Sequence, residues 1–100
     1  MLYGLTENTI VKICDVFKKY PQIEKVILYG SRAKGNYTNG SDIDFTIIGK
    51  NINLQIINKL ENNIDDLLLP YSFDISIFNQ IKNEKLLEHI NRVGKIFYTK

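Results

Sequence analysis

The chain has 100 residues and a formal net charge of +2, from 13 basic and 11 acidic side chains, which bounds it to one ordinary domain. Hydrophobic residues make up 44% of it, enough for one core but leaving no room for a separate substrate-binding domain. The single cysteine, Cys14, excludes an internal disulfide and a cysteine metal cage, and so small a charge does not by itself point to nucleic acid.

Residues 1–7 lack the basic and apolar regions of a secretory signal, and the longest apolar runs, such as residues 67–69, are too short to span a membrane. A soluble cytoplasmic protein is expected. Residues 6–20 read as a helix: Thr6 or Asn8 can cap it, and Ile10, Ile13, Cys14 and Phe17 recur at helical spacing before Pro21 ends it. Residues 25–29 form a short apolar strand, and residues 30–35 a tight turn into a short helix, followed by turn chemistry over residues 36–40. Residues 41–48 read as a second strand, with Asp42, Asp44 and Thr46 on one face and Ile43, Phe45 and Ile47 on the other. Residues 53–68 are a helix with Ile57, Leu60, Ile64, Leu67 and Leu68 along one side, broken by Pro70. Residues 72–78 alternate as a third strand, residues 80–93 form a last helix stopped by Gly94, and residues 96–98 add a final strand. The expected fold is a small α/β (α+β) sandwich, helices on a mixed sheet.

Two features carry chemistry. Gly30-Ser31 stands where a strand ends and a helix begins, a junction whose free backbone N–H groups favour an anion; taken alone, it also reads as a plain turn. In Asp42-Ile43-Asp44 the two carboxylates, two residues apart in a strand, face one spot. Like charges so close ask for a cation, and hard oxygen ligands suit Mg²⁺ or Mn²⁺. A solvated edge face is the alternative, disfavoured by the apolar neighbours Ile43, Phe45 and Ile47. Asp74 is one more acid in an otherwise apolar strand. If that strand lies beside residues 41–48, three carboxylates converge next to the turn, as in-line attack on a nucleotide α-phosphate requires.

Gly30-Ser31-Arg32-Ala33-Lys34-Gly35, five residues, then Ser41-Asp42-Ile43-Asp44-Phe45 resembles the signature of the DNA polymerase beta-like nucleotidyltransferases. It is most similar to the minimal nucleotidyltransferases (MNT), and with Asp74 and the flanking elements the resemblance covers essentially the whole chain, as one domain over residues 1–100. The resemblance implies a palm-like fold and transfer of a nucleoside monophosphate, AMP from ATP, onto a hydroxyl. It implies that Gly30 and Ser31 hold the triphosphate, that Asp42 and Asp44 bind two Mg²⁺ ions (Mn²⁺ as an alternative), and that Asp74 completes the catalytic metal's shell. Arg32 and Lys34 would add positive charge near the phosphates, and Ser41 would orient the first carboxylate. Lys34 and Phe45 depart mildly from the pattern, standing where Arg and Leu are more usual.

The resemblance also implies a helical HEPN-type protein partner, with this chain as the antitoxin that adenylylates it. Two rivals stay open: the catalytic subunit of a two-component enzyme acting on a small molecule such as an aminoglycoside, and a non-catalytic steric binder. A homodimer is left open, and no direct nucleic-acid or membrane contact is expected. Elsewhere, His89 reads as a surface or partner-contact residue, Cys14 as core, and Asp65-Asp66 as solvated. Tyr29 and Tyr37 flank the motif and are candidates for stacking on a nucleobase.

Overall fold

The order of elements in the computed structural model, which describes residues 1–100, is α1 (Glu7–Lys18), β1 (Ile23–Tyr29), α2 (Gly30–Lys34), β2 (Ile43–Gly49), α3 (Leu54–Asp65), β3 (Phe73–Ile77), a 3-10 turn (Phe78–Gln80), α4 (Glu84–Val93) and β4 (Lys95–Thr99). The alternation of helix and strand matches the expectation from hydrophobic periodicity. Capping side chains set the helix starts. Thr6, Asn53 and Asn83 each accept from the backbone N–H three residues on, at 3.1, 3.0 and 3.2 Å, satisfying donors that a helix leaves free.

Most boundaries shift by one or two residues from the sequence reading, and three of the shifts matter most for the core and the site. The third helix stops at Asp65, and Leu68 lies outside it with φ of 54°, 88% exposed. Pro70 disfavours helical backbone at the residue before it, so the chain leaves the helix early. The last helix begins at Glu84 rather than residue 80, because the 3-10 turn intervenes and Asn83 supplies the cap. The second strand begins at Ile43, which leaves Asp42 just ahead of it.

The strands lie in the order β3-β2-β1-β4. β1 is antiparallel to β2 and β4, whereas β2 and β3 are parallel, joined by α3 as the crossover that parallel strands need. One face of this sheet is the core. Val26 and Leu28 of β1 and Ile43, Phe45 and Ile47 of β2 are fully buried with Ile13 and Phe17 of α1 and Leu60 of α3. Phe45 meets Phe17 edge-on at 5.4 Å between ring centroids and Phe97 at 4.7 Å. Each such side chain contributes about 1.5–3 kcal/mol by leaving water. Because strand side chains alternate, the polar residues between these apolar ones are turned to the opposite face, where α4 packs against α2 and β1. No helix is long and apolar enough to cross a membrane.

Candidate active site

Directly paired residues of neighbouring strands share a sheet face. The registers Tyr29↔Asp44 and Asp44↔Asp74 therefore line up Tyr29, Asp44 and Asp74 across β1, β2 and β3 on the face away from the core. The adjacency of the two acid-bearing strands, an assumption at the level of sequence, is how the chain folds. Asp42 precedes β2 and is exposed, as is Asp74, while Asp44 is half-buried between them. The Asp44 carboxyl is pushed up to about 6, chiefly by burial and then by the negative charges of Asp74 and Asp42. Burial also raises the Tyr29 hydroxyl, with Ser76 acting against it and Asp74 and Asp44 adding to it.

The glycine of the turn belongs to this corner. Gly30 has φ of 75°, and a Cβ there would collide with the Asp44 carboxylate. Only glycine gives both the left-handed backbone and the close approach. The turn is nevertheless not an open set of donors. The Gly30 N–H donates to His89 Nε2 at 3.0 Å, and the His89 ring stands edge-on to Tyr29 at 6.2 Å. The helix that follows has five residues, too few for a strong dipole. His89, expected at the surface or at a partner contact, is half-buried and accepts the Gly30 N–H of the turn from α4. The available signal was its spacing to Leu86 and Val93 on the amphipathic α4.

The structure corrects three further expectations. Arg32 does not stand among the acids and the turn as a free cation. It is 2% exposed, and its guanidinium donates to the carbonyls of Ser41, Tyr3 and Asn39 at 3.1, 2.9 and 3.5 Å. Ser41 does not orient Asp42 through its hydroxyl. That oxygen accepts from the Thr38 N–H at 2.9 Å and lies 3.4 Å from the Thr38 hydroxyl, closing the turn before β2. Of the flanking tyrosines, Tyr29 is buried at 7% exposed, whereas Tyr37 is exposed with the Arg32 guanidinium carbon 5.4 Å from its ring. Lys34 is exposed.

A divalent cation fits this corner by its chemistry. Three carboxylates supply hard oxygen donors, and a cation would favour the charged form of Asp44, which burial first and the negative charges of Asp74 and Asp42 second disfavour. The three are arranged around the corner without closing on one point: no three His, Cys, Asp or Glu side chains gather into a ready-made cage. The most voluminous hollow, about 530 Å³ and lined by Pro21, Gln22, Glu24, Lys50, Asn51 and Lys100, lies at the opposite end of β1 and includes none of these groups.

Comparison with known proteins gives the corner a context. Residues 11–100 match the model of the family described as "Polymerase beta, Nucleotidyltransferase". Two proteins of Methanocaldococcus jannaschii are similar in sequence. "Putative protein adenylyltransferase MJ1547" is 36% identical over 85 residues, covering 72% of this chain and 67% of that protein. MJ0604, of the same description, is 32% identical over 101 residues, covering 92% and 97%. Among solved structures, a chain of a toxin–antitoxin with AMP-PNP superposes with a TM-score of 0.72 at 21% identity, over 96% of this chain and 75% of that one. A chain of the tri-AMPylated Shewanella oneidensis HEPN toxin in complex with MNT antitoxin gives 0.70 at 15% identity, over 96% and 74%. At such identities these structures establish a shared fold, the polymerase beta-like nucleotidyltransferase arrangement of a mixed sheet with helices.

Proposed function

The chain belongs to the polymerase beta nucleotidyltransferase family, and from that premise we propose that this nucleotidyltransferase moves AMP from ATP to a hydroxyl group of a protein acceptor, with Asp42, Asp44 and Asp74 as its metal-binding carboxylates. The observation that carries the reading is the alignment of Asp44 with Asp74 on parallel strands beside the Gly30 turn. The likeness to two proteins described as adenylyltransferases supports the chemistry. The likeness to toxin–antitoxin structures supports a HEPN-type protein as acceptor and this chain as its antitoxin.

When bound, Mg²⁺ would supply the positive charge that activates the acceptor hydroxyl and offsets charge on the α-phosphate and departing pyrophosphate. Asp44, flanked by the charges of the other two acids, would hold it jointly with Asp42 and Asp74. Gly30 lets the turn backbone lie against that carboxylate, and Ser31 follows as the first hydroxyl available to a phosphate. His89 fixes the turn by taking the Gly30 N–H, so phosphate contacts fall to Ser31 and the residues after it.

Incubation with ATP, Mg²⁺ and a co-purifying HEPN-type partner, followed by intact mass spectrometry of the partner, tests this. A gain of AMP that disappears with Asp44→Ala is the expected result. No transfer, with the partner still fully silenced by Asp44→Ala, would establish a steric binder instead. Transfer to an aminoglycoside rather than the partner would establish a small-molecule enzyme.

A further inference from the structure

Arg32 is the most unusual charge in the molecule. It is 2% exposed, yet no carboxylate pairs with it; the ion pairs of the chain are Lys18–Asp15 and Arg92–Glu88, both at the surface. A guanidinium buried without an acid is costly unless its donors are met. Here three backbone carbonyls meet them, and the rings of Tyr37 and Tyr71 lie 5.4 and 4.9 Å from the guanidinium carbon. The partners belong to the segments that carry the site. Ser41 immediately precedes Asp42 and Asn39 lies in the same turn, Tyr71 leads into β3 with Asp74, and Arg32 itself follows Ser31.

The remaining partner comes from elsewhere. Residues 2–5 form a turn closed by Leu2 and Leu5, which exchange backbone hydrogen bonds of 3.1 and 2.9 Å. Within it Tyr3 has φ of 60° and Gly4 φ of 74°. A tyrosine in the left-handed region is strained by about 1 kcal/mol. The strain places the Tyr3 carbonyl on Arg32 Nη1 at 2.9 Å. Gly4 is pressed against the same group: a Cβ there would lie 2.5 Å from Tyr37 Cε2 and 2.8 Å from Arg32 Nη1. This turn stands ahead of residue 11, where the match to the family begins.

We propose that Arg32 is a positioning residue and that the turn at residues 2–5 is the latch that locks it, together holding the loop at residues 39–42 so that Asp42 and Asp74 both face Asp44. Neither Arg32 nor the latch touches nucleotide or cation; they act through the loop and through Tyr71. The inference rests on the reading of the three acids as cation ligands.

The test compares full-length wild type with Gly4→Ala, Arg32→Lys, Tyr37→Ala, Asp44→Asn and, as a destabilised control away from the clamp, Ile64→Val. Mn²⁺ affinity by titration calorimetry, thermal unfolding, and kcat and KM for ATP are read for each. Gly4→Ala and Arg32→Lys are expected to weaken Mn²⁺ binding and lower kcat on the order of tenfold, as loss of groups that orient metal ligands does, while KM for ATP changes little. Tyr37→Ala keeps the three carbonyl bonds and is expected to lose less, which provides a reading should Gly4→Ala fail to fold. Ile64→Val lowers the melting temperature without changing Mn²⁺ affinity. If the clamp variants behave like Ile64→Val while Asp44→Asn loses Mn²⁺, Arg32 is merely structural and the proposal falls alone. If Asp44→Asn binds Mn²⁺ as wild type does, the cation reading fails and takes the proposal with it.

Discussion

The chain takes charge out of water in two places, at Arg32 and at Asp44, by opposite means. At the Arg32 clamp one cation is almost fully buried, and neutral groups (three carbonyls and two tyrosine rings) meet it from all sides. At the carboxylate corner Asp44 is only half-buried, but its charged neighbours Asp74 and Asp42 have its own sign. The first charge is satisfied within the chain and gives rigidity. The second is left in repulsion, which is the condition for binding something positive. Under the proposed function, depth of burial is thus a poor guide to which charge does chemistry; the sign and completeness of its surroundings decide.

The sharpest way to break this contrast is Asp44→Asn. Nucleotidyl transfer is expected to fall roughly a thousandfold, the several kcal/mol that a metal ion supplies to such a reaction, while the metal-free fold becomes no less stable. Activity together with a urea unfolding curve checks both halves. Arg32→Ala should do the reverse to stability. Three charge-assisted bonds and two ring contacts disappear from a buried site, for a loss of about 3–5 kcal/mol in the same unfolding assay.

The pH dependence separates the two regions further. Asp44 ionises near 3.9 in an unfolded chain but at about 6 in the folded one. Its contribution to stability is therefore fully present below pH about 4 and is lost as pH rises through about 6. For a half-exposed group screened by solvent this amounts to about 1 kcal/mol. Unfolding free energies measured across that window without metal should show the decline, Asp44→Asn should remove it, and added Mg²⁺ should oppose it at pH 7. A rise in wild-type stability attributable to Asp44 over the window would contradict the arrangement of the three acids.

The smallest expected effect concerns a third buried polar group. Thr46, on the same strand as Asp44, is fully buried, with its hydroxyl lacking any hydrogen-bond partner. Thr46→Val replaces that hydroxyl with a methyl and is expected to be neutral or stabilising by up to about 1 kcal/mol. Thermal unfolding decides it, and a clear loss would mean that the hydroxyl has a partner.

Much of the scaffold was legible from local pattern. The helices with Ile13 and Phe17, and with Ile57, Leu60 and Ile64, show the 3.6-residue spacing, and the strand with Ile43, Phe45 and Ile47 shows period two. Capping by Thr6 was equally local. The end of α3 and the late start of α4 fell elsewhere than the apolar periodicity suggested, because Pro70 and the Asn83 cap override it there.

The spacing of the motif, Gly30-Ser31 followed by Asp42 and Asp44, is fixed by sequence alone, and with it the resemblance to a nucleotidyltransferase. What each side chain does there depended on partners distant along the chain. Arg32 reads as a phosphate contact until the carbonyl of Tyr3 and the ring of Tyr71 are brought to it, and His89 reads as surface until its helix lies against the turn of Gly30. Asp74 joins Asp44 only because α3 returns the chain into a parallel strand beside β2. Periodicity and capping are encoded within a few residues, whereas the fate of a charge is set by every group within hydrogen-bond or Coulomb range, and those neighbours are chosen by the packing of the whole sheet.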